Sequence, residues 1–260
     1  MQSFPVSFPR VRPIPLLRLF RHKRAMALAG LVGLLVQTLP ATSASAARLR
    51  GRVVGFKLLR NPVWTEAADP NRHLFSFREA VPTVPAEARQ LYPNIPKELC
   101  IAALSTVAQK APPPVLIRVG GGRTTPVTIV VPPMTRLSFQ NTDPFSHLLY
   151  GPKIPTFKPS ETMRGGSREW TVSEPGVFEI RDEAAPSLRM WVVAEPRVAA
   201  IAYPSLDGDF ALNIAEPGEY EIQAYFSGKK VGEAAKFTVG QNDINASKAP
   251  LVVAKPENKG

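Results

Sequence analysis

Proline and glycine cut this chain into short apolar runs, and that punctuation constrains the fold more than any other feature. The 28 prolines and 17 glycines recur between segments of strand length. VLIRV (115–119), PVTIVV (126–131), MTRLSF (134–139), REWTV (168–172), VFEI (177–180) and LRMWVV (188–193) each read as a strand. GGGR (120–123) is a flexible hairpin turn, and Pro132-Pro133 closes the strand before it. RLRGRVVGFKLL reads as a first strand broken near Gly55, with NPVW as a second. After Pro196 the runs VAAIAY, DFALNI, EYEIQAYF and KFTV make four strands, separated by turn signals at Asp207-Gly208, Pro217-Gly218 and Gly228-Lys229-Lys230. Strands at this spacing predict Greek-key β-sandwiches.

Two stretches resist this reading. Residues 66–96 have no sustained period apart from a short helical pattern over Pro85–Leu91, and Lys97–Leu104 suits a strand or a helix equally. We therefore expect an irregular insertion over 66–110. The last twenty residues, 241–260, are polar and charged around one short apolar patch, which predicts a disordered tail.

The start of the chain predicts export. Residues 1–24 carry Arg10, Arg12, Arg18, Arg21, Lys23 and Arg24 and no acid; an apolar run, AMALAGLVGLLVQTLP, follows, and then the small residues ATSASAA. That is the layout of a secretory signal over residues 1–47, with an Ala44-Ser45-Ala46 cleavage site. The rival is a membrane anchor, but sixteen residues at ~1.5 Å each span roughly 24 Å, short of a ~30 Å hydrocarbon core. No cysteine follows the apolar run, so a lipoprotein anchor is excluded. We expect a periplasmic or secreted protein with no membrane span after cleavage.

Removing the presequence leaves 26 basic against 21 acidic side chains, a net +5 in place of +11. No cluster of Lys and Arg with interleaved aromatics remains, so the pI of 10.0 is no argument for a nucleic-acid partner. A mildly basic surface suits an unknown protein or an anionic envelope polymer instead. The single cysteine, Cys100, lies in the apolar run ELCIAAL and has no partner in the chain for a disulfide.

One turn stands out. LSFQNTDPFSHLLYG (137–151) contains Asn141-x-Asp143-Pro144-x-x-His147-x-x-Tyr150, and GVFEIRDEAAPSLRMWVVA (176–194) answers it with two strands around a short loop. This pair resembles the copper-site edge of cupredoxins, the methylamine-utilisation type above all. The resemblance implies a Cys, a His and a Met on the second loop as the remaining copper ligands. Aligned on Gly176-Val177, Glu179 and Arg189, the chain places Asp182 at the cysteine, Ala185 at the histidine and Leu188 at the methionine. Three of four ligands are then absent. DGDFALNIAEPGEYEIQAYF (207–226) resembles carboxypeptidase-regulatory-like or transthyretin-like modules, which need more strands than 197–240 provide; strands from 48–66 are the expected source.

Other metal chemistry is possible on paper. His73, His147, Cys100 and one of Met134, Met163 or Met190 make a nominal blue-copper set, although His73 and Cys100 precede the turn. His147 with Asp182 and Glu183 is a conceivable hard-metal site. Against it, Arg181-Asp182-Glu183 reads as a solvated loop tip, and His147 as a turn histidine bonded to backbone. There is no Gly-x-Ser-x-Gly, His-Glu-x-x-His or phosphate-cradling loop. No catalytic, cofactor or confident metal residue emerges.

The sequence therefore predicts an all-β, non-enzymatic chain. A cupredoxin-like sandwich occupies 48–195 and a small β module 196–240, with a binding or structural role in the envelope. A copper-binding electron carrier is the alternative. Carbohydrate binding on Tyr203, Phe210, Tyr220, Tyr225 and Phe226 is a third reading.

Overall fold

In the computed structural model, residues 46–62 and 92–256 are described, and they are almost entirely β. Their strands form four sheets, and burial stacks these as four layers sharing three cores.

The first layer is built on β1 (Ala47–Val54), flanked by antiparallel β13 (Asp209–Ile214) and by parallel pairing with β16 (Ile244–Asn245) and β17 (Leu251–Val252). The second runs β12 (Val198–Ala202), β2 (Leu99–Ser105), β14 (Gly218–Phe226), β15 (Lys229–Val239). Leu49, Val53, Leu212 and Leu251 meet Leu99, Ile101, Tyr220 and Ile222 between them. The third layer is β5 (Thr128–Val131), β11 (Arg189–Ala194), β10 (Gly176–Asp182), β7 (His147–Tyr150), β8 (Ser160–Thr162). The fourth is β4 (Arg123–Thr125), β3 (Val115–Gly120), β6 (Arg136–Asn141), β9 (Ser167–Thr171). Ile117, Leu137, Phe139, Ile180, Met190 and Val192 fill the core between these last two.

The middle seam explains β2. Leu99, Ile101 and Ala103 face the first core, while Cys100, Ala102 and Leu104 pack with Val130 of β5 and Val193 of β11. A strand covered on both faces needs an unbroken apolar run, and LCIAALS is buried at every position. The helix-or-strand ambiguity of this stretch has a simple source. A single helical turn, α1 (Ile95–Glu98), with proline at its start, leads directly into β2.

The two lobes are nested. The second lobe takes β1 and β2 from before the strands of the third and fourth layers and β12–β17 from after them, so residues 115–194 are inserted within it in sequence. Three expectations change accordingly. The irregular insertion over 66–110 ends in a central strand, because Leu99–Leu104 buries both faces; within it, 63–91 lie outside the described residues. The second lobe takes in β1, from the 48–66 stretch expected to supply it, and also β2, β16 and β17, which lie outside 48–66 and 196–240. The expected disordered tail carries β16 and β17, because Leu251 and Val253 are buried in the first core and Ile244 packs against it. Of the expected NPVW strand, Asn61 and Pro62 are not extended pairs and the rest lies outside the described residues. Of the expected signal segment over 1–47, residues 1–45 lie outside them too, and Ala47 is the first residue of β1.

Turn chemistry places the loop end of the lobe made by the third and fourth layers. Gly121 and Gly122 have φ of 63° and 69°, the two left-handed positions that a tight two-residue hairpin requires. They join β3 to β4 antiparallel, so GGGR is a hairpin turn.

Candidate functional site

β6 ends at Asn141, and the chain turns through Asp143-Pro144 before β7 begins at His147. Asn141 makes the turn. Its side-chain oxygen accepts the Asp143 N–H at 2.8 Å, while its amide donates to the Phe145 carbonyl at 2.8 Å and the Thr162 carbonyl at 2.9 Å. A buried Asn that bonds on both sides of its amide fixes the loop and anchors it to β8. Arg168 of β9 secures the other side of β7 by donating to the carbonyls of Leu149 and Lys158, with its guanidinium 3.9 Å above the Phe157 ring.

This framework puts the His147 ring between two carboxylates. Nδ1 meets Asp182 Oδ2 and Nε2 meets Asp143 Oδ2, the latter at 3.1 Å. The His147 and Asp182 side chains are wholly enclosed, and that of Asp143 is only 13% exposed. Asp182 also accepts the N–H of Leu148 at 2.8 Å and of Ala184 at 3.1 Å through its other oxygen. Asp143 accepts the Gly121 N–H at 2.8 Å. That bond above all, supported by His147 and the Gly122 N–H against the opposing effect of burial, holds the Asp143 carboxyl below the usual carboxylate range. The Phe145 ring, half exposed, lies 4.9 Å from the imidazole.

The network joins four segments: the β3–β4 hairpin, the β6–β7 turn, β7 and the end of β10. Two flanking acceptors call for two N–H donors, and a neutral imidazole supplies one. Either the ring carries both protons or one carboxyl keeps its own. In both cases neither ring nitrogen has a free lone pair, and a metal could bind only by breaking one of these bonds.

Three site expectations change. Asp182 is not at a solvated loop tip, because the strand continues through it and turns its carboxylate inward onto His147. His147 is held by carboxylates rather than by backbone. Glu183, grouped with them as a hard-metal candidate, is exposed, and its backbone N–H bonds the Leu148 carbonyl at 3.3 Å. Asp143 completes the site from within the turn motif, and its place four residues before His147 is the sequence signal for it.

The other thiolate and thioether candidates do not converge here. Cys100 is fully buried in the seam between the second and third layers, and burial pushes its thiol up to about 12. Met134 and Met163 are exposed, and Met190 is in the core between the third and fourth layers. His73 lies outside the described residues. Ala185 is partly buried and Leu188 fully buried on the same core. Among the described residues no three His, Cys, Asp or Glu side chains are disposed to hold a metal ion. A copper set of two imidazoles and a thiolate does not fit these side chains. Of the aromatic residues considered for sugar binding, Phe210, Tyr220, Tyr225 and Phe226 are buried, and Tyr203 donates its hydroxyl to the Thr128 carbonyl at 2.9 Å.

The chain matches no known family model and no curated protein. Solved structures similar to part of it include cupredoxins and a copper enzyme. A purple cupredoxin from Nitrosopumilus maritimus is 19% identical over 31% of this chain and 99% of its own, with a TM-score of 0.29. A proline-to-alanine variant of amicyanin in the oxidized state is 14% identical over 36% of this chain and 98% of its own, with a TM-score of 0.31. The copper-containing nitrite reductase from Thermus scotoductus is 20% identical over 35% of this chain but 25% of its own, with a TM-score of 0.29.

Proposed function

We propose that this is an exported, non-enzymatic β-sandwich protein with a binding or structural role in the cell envelope. Its cupredoxin-like lobe carries a carboxylate–imidazole–carboxylate lock in place of copper. The observation that carries this reading is the engagement of both His147 nitrogens, by Asp182 and Asp143. Asp182 stands where the sequence resemblance puts the cysteine ligand, so the lost ligand itself supplies the carboxylate that takes up Nδ1. In this reading Ala185 and Leu188 stand for the lost histidine and methionine, and both have been absorbed into the apolar core.

The second lobe, which resembles a carboxypeptidase-regulatory-like module through β13 and β14, serves as the mount. The other lobe is inserted into it in sequence between β2 and β12, which pair with each other at the seam. Among the described residues no helix is long and apolar enough to cross a membrane.

Two measurements test the proposal. Metal analysis of the purified protein after exposure to Cu(II) should find no stoichiometric copper and no intense visible thiolate band. N-terminal sequencing of the exported chain should begin at Ala47, since Ala47 already pairs with Ile214 and its side chain is buried. Stoichiometric copper would overturn the first half, and a retained apolar segment the second.

A further inference from the structure

We infer that the outward face of β1 is a docking strip for an acidic polysaccharide. The inference rests on the envelope reading above, and it supplies that reading with a partner and a place.

β1 alternates strictly. Leu49, Gly51 and Val53 turn into the core while Arg48, Arg50 and Arg52 are exposed. Alternate residues of a strand share a face at steps of about 6.7 Å, so three guanidinium-bearing side chains stand in a straight row. A sheet normally relieves such a row with acids on the neighbouring strands. Here only Arg52 has one, Asp209 at 3.7 Å. Arg50 is flanked by Ala211 and Asn245, and Arg48 by Asn213. The nearby Asp243 accepts the Arg48 backbone N–H at 3.0 Å, not its guanidinium. Among the described residues, the side chains of Arg48 and Arg50 have no partner.

These two arginines line an open concavity of about 830 Å³ together with Ser205, Asn245 and Ser247; the one acid in the lining, Asp209, is taken up by Arg52 at 3.7 Å. The chemistry of the lining selects the occupant. Guanidinium forks pair with carboxylates two bonds at a time and hold them better than lysine would. The neutral amide and hydroxyl groups of the lining match sugar hydroxyls. A wide, shallow form suits an extended polymer rather than a small enclosed ligand. Nucleic acid is the poorer match, since base stacking needs exposed aromatic faces and Tyr203, beside the concavity, is tied inward to Thr128.

The test uses the exported full chain and polygalacturonate as the probe, titrated at low and at physiological salt, with dextran as the neutral polymer. The wild type should bind polygalacturonate in a salt-sensitive manner and ignore dextran. The double change Arg48→Gln/Arg50→Gln should weaken binding at least about tenfold while leaving the thermal melt unmoved. Lys229→Gln/Lys230→Gln, on the distant β14–β15 hairpin, should bind like the wild type. Binding that survives the arginine changes, equal binding of dextran, or a preference for vesicles of phosphatidylglycerol would overturn the strip. Copper uptake or a retained presequence would overturn the underlying reading instead, and neither depends on polymer binding.

Discussion

The carboxylate of Asp182 bonds Nδ1 of His147 across the β7–β10 edge, with both side chains closed to solvent. A buried pair of this kind is expensive to break from one side, because the surviving partner keeps its desolvation cost without its counter-charge. Asp182→Ala should therefore destabilise the protein by about 3–5 kcal/mol. His147→Ala should cost much the same, and the double mutant clearly less than the two together, since the orphaned partner is gone. Denaturant unfolding of the four proteins measures the cycle. Additive losses would show that the two residues act independently.

Asp143 makes the acid limb of stability partly its own. Its folded-state pKa lies below the ordinary value, through the Gly121 N–H first and His147 after it. A depressed carboxyl contributes stability that is fully present above the unfolded pKa of about 3.9 and is lost as pH falls through the folded value. Asp143→Asn should be less stable than wild type at neutral pH, and the difference should shrink below about pH 4. A gap that stays constant down to pH 2 would rule out the linkage.

Cys100 should behave as a sealed hydrophobe. Burial raises its thiol to about 12, and its side chain faces Val130 and Val193 across the middle seam. The thiolate is the reactive form, so a disulfide reagent at neutral pH should label it only as fast as the protein opens. Denaturant should then release one thiol per chain. The raised value also gives a sign for alkaline pH. The contribution of the buried neutral thiol is complete below the unfolded pKa of about 8.5 and declines as pH rises towards 12. Rapid labelling of the native protein would mean that the second and third layers are not held together.

Much of the architecture was legible in the residues themselves. The strands of the third and fourth layers show because proline and glycine mark their ends, and the Gly121-Gly122 turn because only glycine takes two successive left-handed positions easily. What was hidden is long-range. Nothing local in LCIAALS says that both its faces are covered, and a two-residue strand such as Leu251–Val252 has no period to read. The site was half visible. His147 and Asp182 could be named from the resemblance, but the inward turn of Asp182 depends on β10 lying beside β7, a pairing between residues more than thirty apart in sequence.

The nesting of the lobes makes the C-terminal segment part of the fold. Truncation after residue 240 removes Ile244, Leu251 and Val253 from the first core and unpairs one edge of β1. The loss of two buried aliphatic side chains should cost several kcal/mol, at about 1.5–3 kcal/mol each. The thermal midpoint should fall accordingly on truncation, by roughly 2–4 °C per kcal/mol. The fragment 197–240, which lacks β1 and β2, should show no dispersed amide spectrum by itself. An unchanged midpoint on truncation would mean that β16 and β17 contribute nothing.

The copper site proposed to be lost can be asked to return. If Asp182, Ala185 and Leu188 stand at the cysteine, histidine and methionine positions, then Asp182→Cys/Ala185→His/Leu188→Met should give the protein a soft ligand set beside His147. Replacing Asp182 removes one of the two carboxylates and leaves Nδ1 facing a thiol in place of an oxygen acceptor. Leu188 is fully buried and Ala185 partly so, which lets a thioether and a second imidazole approach from the core side of the same loop. Leu188→Met is close to volume-conserving, while Ala185→His adds bulk at a partly exposed position, so the triple mutant should still fold. It should bind about one Cu(II) per chain and show a strong visible thiolate band that the parent lacks. Adding His147→Ala should abolish that band, whereas Cys100→Ser should leave it intact, since Cys100 is sealed in the seam between the second and third layers with Val130 and Val193. A copper band in the parent that vanishes with Cys100→Ser would place the site elsewhere and return the electron-carrier reading to first place.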